Sequence, residues 1–544
     1  MAPAAVEEQA EPPRFWPEWL EESLHVTPGR DPLGLQTITL DRITPSLVPG
    51  VLALSRRARY FSIYPYLLSY YEEHELAPNL QALSDFIRTW EYEYAVSVML
   101  CPRGCGEAAT SVVGSQRARP AASSLGDELA RELSVESSLG GYGLYYGAPL
   151  ESFGVVARRG TLLGDEPIPI DVLARNGRGQ ALAEVFGQAI EPTTYFRDYM
   201  GGGDPIPREV LVELSTRCCL CRLDDFDDER ELLRELLFEE HDSVPAEEVH
   251  QRQVSFAVLL DAIERHPEAS ANDGALFETA LSRFEDVATG ASPLDGAYQQ
   301  WCALGLKEYV QDGLSSVWSQ FVRDGFRLQP EAGYARDEIR ELIRTELAAS
   351  GTLQLDPIEL DWSPETPTTE VEEFVGELPQ TLGWEVLKER CNEEDSAISG
   401  LVLMLAVVGQ APEVPTAPNA WMAVATQGTD RQPSLAQFLE MFRAHLDEEP
   451  TVADSLEWLV ARRVIAPHEA IAYSKLPEFT FRFRWESGRL AFFNLGLERF
   501  NRGDPRRRAM AQISNDLGLW NSDGGEARVT SAGQGLIDRV GEAS

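Results

Sequence analysis

Lysine is almost missing from this chain. Among 544 residues only Lys307, Lys388 and Lys475 occur, and arginine supplies the rest of the positive charge. Two residues before these lysines stand Gly305, Val386 and Tyr473, so the acid-x-Lys arrangement of restriction-type nucleases is missing. A G-x-x-x-x-G-K-[ST] phosphate loop is missing as well, which argues against a P-loop NTPase. There is no G-x-S-x-G nucleophile elbow and no H-E-x-x-H pair. Glu247-x-x-His250 stands alone, whereas a di-iron bundle needs two such pairs. Long apolar runs are scarce too. The longest, Ile398 to Gly409, falls short of the roughly 20 residues of a membrane span and reads as a buried helix. The first residues lack the basic and apolar regions of a signal peptide, so the expected location is a bacterial cytoplasm, with no membrane partner.

Acid is abundant. Asp plus Glu number 88 against 47 Lys plus Arg, a formal charge of −41. Such a surface repels nucleic acid, so any DNA contact needs a local basic island. The strongest island is "NRGDPRRRAMAQ", with Arg502, Arg506, Arg507 and Arg508 as candidate nucleic-acid contacts.

Cysteine is sparse but clustered. Five of seven cysteines fall in "MLCPRGCGE" and "RCCLCRLDDFDDER". Zinc prefers thiolates in a tetrahedron, and closely spaced pairs supply two corners from one loop. Cys101 and Cys105 are C-x3-C, and Cys218 and Cys221 are C-x2-C. Together they form a candidate structural zinc site with no open position for chemistry. The alternative is that "LVELSTRCCLCRL" is a helix whose Cys218 and Cys221 face a core as small hydrophobes. The following acids, Asp224 to Glu229, suit the start of a helix.

The length calls for several domains. The pattern predicts a mainly α, multidomain fold: helical blocks, two winged-helix-like units and a C-terminal β-hairpin. Residues 1–40 read as an irregular leader with a short helix at "PEWLEESL". Residues 41–240 read as a helical domain holding the cysteines, with buried helices on either side of Pro65. A helical domain (241–355), a linker (356–370) and a further helical domain (371–475) follow, then a hairpin and closing unit (476–544). In "EFTFRFRWESGRLAFFN", Phe479, Phe481, Phe483 and Trp485 alternate with polar residues up to a turn at Ser487-Gly488. Two stretches, "GLYYGAPLESFGVV…RNGRGQALAEVF" and "AQISNDLGLWNSDGGEARVTSAGQGLI", resemble the end of winged-helix domains: a recognition helix, a β-wing and a closing helix.

The segments "LGLQTITLDRITPSLVPGVLALSRRARYFSIYPYLL", "GRGQALAEVF" and "CCLCRLDDFDDERELLRELLF" resemble a group of uncharacterised bacterial proteins of defence and mobile-island gene neighbourhoods. The resemblance spans roughly the first 240 residues and brings no catalytic residues. It implies a subunit of a multi-gene system. The expected function is a non-enzymatic accessory or scaffold protein in anti-phage defence, with protein partners from the same operon. Two alternatives stand beside it: a DNA-binding regulator or sensor using the winged-helix-like units, and an enzyme whose carboxylates are scattered beyond motif recognition.

Overall fold

The computed structural model describes residues 31–105, 111–163, 166–267, 273–284, 293–355, 358–379, 382–429, 432–493, 499–500, 502–523 and 525–542. The leader helix expected at "PEWLEESL" lies outside them. The chain is mainly helical, with short antiparallel strand pairs. It forms two compact units. The cysteine unit contains Thr39–Gly305, Pro415–Gln427 and Gly503–Ser544. The hairpin unit contains Leu306–Val414 and Gly428–Arg502 with the N-terminal stretch up to Ile38. Each is assembled from separated stretches, whereas the sequence reading divides the chain into successive blocks.

In the cysteine unit, helix α1 (Tyr60–Glu73) runs unbroken through Pro65, where two helices were expected. A proline ring removes one N–H, costing the helix a single interior hydrogen bond. Aromatic packing offsets that loss. Tyr60, Tyr64 and Tyr146 lie with ring centroids 4.9 to 5.4 Å apart, and all three are buried. Helix α2 (Leu80–Met99) starts at Asn79, whose side chain accepts from the Ala82 N–H. Helices α3 (Arg178–Ile190), α4 (Arg208–Cys218) and α5 (Asp227–Phe238) complete the surroundings of the cysteines. The acidic run does open α5, with Asp227, Asp228 and Glu229 in its first turn.

Both helix–wing–helix stretches have that local order. The first runs from helix Gly147–Ser152 through pairs Val156↔Leu173 and Leu162↔Pro167 to α3. The second runs from helix Arg507–Asp516 through the ladder Trp520↔Val529 to Asp523↔Glu526, then helix Ser531–Glu542.

In the hairpin unit, Phe483–Glu486 pairs with Arg489–Phe492 across Ser487 and Gly488. Both turn residues have positive φ, 50° and 81°, the backbone that matches strand twist in a two-residue hairpin. Phe481, Phe483, Leu490 and Phe492 are buried, while Phe479 is exposed and precedes the strand. The expected linker is instead largely structured. Gly351–Leu355 pairs with Ile358–Trp362, burying Leu353, Leu355 and Leu360. The alternation in "GTLQL" and "IELDW" is a strand signal that the proline and acid content obscured. The apolar run forms helix Ala397–Gln410. Ala397–Thr416 is the one stretch among the described residues long and apolar enough to cross a membrane, and it is mostly buried within the fold. It meets the long helix Pro293–Arg327 at Gly400 and Gly313, where a Cβ on Gly400 would stand 2.4 Å from the Gly313 carbonyl oxygen.

Candidate metal centre

The segments that leave α2 and α4 carry the cysteines. After α2, Cys101 opens a turn closed by the Gly104 N–H donating to the Cys101 carbonyl at 2.9 Å. Gly104 takes φ +75°, which glycine adopts without steric cost, and Cys105 follows it. After α4 the chain leaves helical geometry at Cys219 (φ −55°, ψ 146°) and enters a 3-10 turn, Leu220–Asp225. The two segments meet. The sulfurs of Cys101, Cys105, Cys219 and Cys221 all lie within 4.8 Å of one another, and Cys101 Sγ stands 3.7 Å from Cys221 Sγ. Metal–sulfur bonds near 2.3 Å in a tetrahedron require sulfur separations of about 3.8 Å. Four cysteines therefore cluster at the distances a metal ion needs.

One ligand differs from expectation. Cys101, Cys105 and Cys221 converge as predicted, but Cys219 stands where Cys218 was expected. Cys218 is the last residue of α4, on the buried face that also carries Leu211 and Leu214. Its neighbours include the Arg59 and Glu229 charges, and burial pushes its thiol up to about 12. The core reading was therefore right for Cys218 and wrong for Cys221. Helical spacing from Leu211 and Leu214 puts Cys218 on the buried face only because α4 runs as far as Cys218, an end point the sequence did not fix.

Buried polar groups hold the second segment from beneath. Arg59 and Glu229 have fully buried side chains, with Arg59 Nη2 2.9 Å from Glu229 Oε2. Arg59 Nη1 donates to the carbonyls of Cys219 at 2.7 Å and Arg217 at 3.1 Å. Ser62 Oγ donates to Glu229 at 2.5 Å, and the guanidinium lies against the rings of Phe186 and Phe226. The Tyr94 hydroxyl donates to the Cys218 carbonyl at 2.9 Å. Three successive carbonyls, 217 to 219, are thus fixed by side chains. On the outer side Arg103 joins the two segments again. It donates to the Cys221 carbonyl at 2.8 Å and pairs with Asp224 and Asp225 at 2.9 and 3.1 Å.

The thiols are not equivalent. The Cys219 thiol's hydrogen bond, aided by those of Cys105 and Cys101 and by the Arg103 charge, pulls Cys221 down to about 5 against its burial. That same bond, together with burial, pushes Cys219 up. Burial, then the bond to Cys221, pushes Cys105 up to about 12. Thiols raised by burial and mutual hydrogen bonds, as Cys105 and Cys219 are, release protons when a cation binds.

The arginine island does not form an exposed patch. Arg502 lies in the hairpin unit, its side chain mostly covered, 2.9 Å from Asp312 and 2.7 Å from Glu385. Arg506 is buried and donates to the Val48 carbonyl at 2.7 Å, and Arg507 is buried too. Arg508 alone of the four is exposed. Three of the four candidate contacts are therefore turned inward: Arg506 and Arg507 because the helix they open buries its first turn, and Arg502 because Asp312 and Glu385 hold it. Acids do converge around Arg502, but in the interior. Glu308, Asp312 and Glu385 are each within ion-pair distance of Lys307, Arg502 or Lys388. Two of the chain's three lysines serve this knot, a use that composition alone could not reveal.

No protein-family model, curated protein or solved structure matches the chain.

Proposed function

We propose that this chain is a non-enzymatic accessory or scaffold subunit of a bacterial cytoplasmic multi-protein system, acting in anti-phage defence with partners from its own operon. In this reading zinc fills Cys101, Cys105, Cys219 and Cys221 and staples the cysteine unit. The convergence of those four thiols carries it. Four protein ligands complete zinc's tetrahedron and leave no position for water or substrate, so the metal's role is structural. The chain's paucity of lysine and of nucleotide-loop and hydrolase motifs points the same way. Co-expression with the products of neighbouring genes, followed by gel filtration and metal analysis, tests both halves. The expected result is a stable complex holding one zinc per chain. Nuclease, ATPase or hydrolase turnover by the pure chain would sink the non-enzymatic reading.

A DNA-binding regulator is the second reading. Exposed Arg508 and the helix–hairpin–helix order at the C-terminus favour it. It predicts salt-sensitive duplex binding that Arg508→Glu weakens. Arg506 and Arg507 are unsuitable test positions, because reversing buried charges would damage the fold.

A further inference from the structure

The four clustered sulfurs differ in how solvent reaches them. Cys101 is 5% exposed and Cys219 is fully buried, whereas Cys105 and Cys221 are half-buried. Cys218, Cys302 and Cys391 are buried as well, so a reagent from solvent meets thiol chemistry first at Cys105 or Cys221. Of these two, Cys221 is the better connected. Its sulfur is in hydrogen-bond contact with those of Cys219, Cys105 and Cys101, and Cys101 Sγ stands 3.7 Å away on the other segment. A thiolate is the form that attacks an electrophile, and metal binding makes every ligand cysteine a thiolate. Access therefore decides which sulfur reacts.

We propose that Cys221 is a site of oxidation by hydroperoxides, closing a disulfide to Cys101 and discharging the metal. The discharge rests on the zinc reading; the disulfide rests on the sulfur positions alone. The Cys221 thiolate takes one oxygen from hydrogen peroxide, giving a sulfenic acid and a hydroxide ion. The Cys101 thiolate then attacks that sulfur and expels a second hydroxide. Two thiolates and one hydrogen peroxide thus become one disulfide and two hydroxide ions, the sulfurs giving up two electrons as the O–O bond breaks. Zinc leaves because two of its four ligands are gone. Position selects the partner. Peroxide arrives from solvent, so the sulfenic oxygen points outward and its displacement needs a sulfur on the inner side. Cys101 and Cys219 are the buried sulfurs. Leu220 alone separates Cys219 from Cys221, a bridge over one residue is strained, and Arg59 holds the Cys219 carbonyl at 2.7 Å. Cys101 belongs to the other segment, so oxidation exchanges a metal staple for a covalent one and the two segments stay joined.

Hydrogen peroxide added to the zinc-loaded full chain tests this, with a colorimetric chelator reading free zinc and non-reducing peptide mapping reading the sulfurs. Expected are release of one zinc per chain, a Cys101–Cys221 linkage, and reversal by dithiothreitol with added zinc. Cys218→Ala should release zinc at the wild-type rate, because its thiol lies in the core. In Cys101→Ser, dimedone should trap the sulfenic acid at Cys221, and a label on Cys105 instead would overturn the assignment. Chain stripped of metal should form the same linkage. A chain that takes up no zinc sinks the zinc reading and the discharge with it, and the linkage is then judged on that chain alone. The proposal is also overturned if peroxide leaves all seven cysteines open to alkylation, if the linkage joins Cys105 or Cys219 to Cys221, or if zinc stays bound once the linkage has formed.

Discussion

The two units pin distant segments with different chemistry. In the cysteine unit, Cys101 and Cys105 meet Cys219 and Cys221 over the fully buried Arg59–Glu229 pair. In the hairpin unit, Asp312, Glu385 and Arg502 form a buried ionic knot with Lys388. Thiols are weak partners to one another, so the first arrangement would gain its strength from a cation. Opposite charges satisfy one another, so the second needs no addition but depends on its protonation. The cysteine unit should respond to metal, and the hairpin unit to pH.

With zinc bound as proposed, the largest effect expected is loss of the metal. Cys219→Ser should abolish zinc binding and unfold the cysteine unit, since structural zinc contributes roughly 10 kcal/mol or more in small four-ligand sites. Metal analysis checks the first part, and hydrogen exchange along α2 and α4 the second. Retention of zinc by this variant would break the contrast between the units. Next comes Arg59→Met, which strands a buried carboxylate. A cost of about 3–5 kcal/mol is expected in urea denaturation.

The hairpin unit supplies the pH test. Burial pushes Asp312 up from 3.8 to about 6, against the pull of Arg502 and Lys388 and with Glu308 and Glu385 adding to the rise. A carboxyl group raised in the folded state stabilises most below its unfolded value. That contribution is lost as pH rises through about 6, with a slope up to about 1.4 kcal/mol per pH unit. Asp312→Asn should flatten stability between pH 4 and about 6, measured by denaturation across that window. A wild-type slope that survives the substitution would assign the titration elsewhere.

The smallest effects sharpen the ligand assignment. Cys218→Ala should keep zinc and cost about 1 kcal/mol, as for a small buried group. Arg508→Glu should shift stability by less than about 0.5 kcal/mol, because its side chain is exposed. Thermal melts with metal analysis measure both. Zinc loss in Cys218→Ala would reverse the choice between neighbouring cysteines.

Local patterns were legible wherever one segment sufficed. The Ser487-Gly488 turn, the alternation of Phe481 and Phe483, and the acid-rich start of α5 are short-range facts, and each formed as read. Pro65 misled, because its cost is local while the packing of Tyr60 and Tyr64 that offsets it comes from residues some 80 positions away. The residues 356–370 misled in the same way, since proline and acid hid a strand whose partner precedes it. Sequence placed cysteines in two clusters but not the last ligand. Cys218 and Cys219 are chemically identical, and only the point at which α4 ends turns one into the core and the other toward Cys101.

The sequence by itself determined the helical class, the hairpin and the pairing of two cysteine-bearing loops, because periodicity and turn chemistry act within a few residues. Tertiary structure alone decided which four sulfurs meet, which of them reach solvent, and which arginines are buried. Those outcomes depend on the phase at which helices end and on contacts between residues far apart in the chain. No local pattern encodes either.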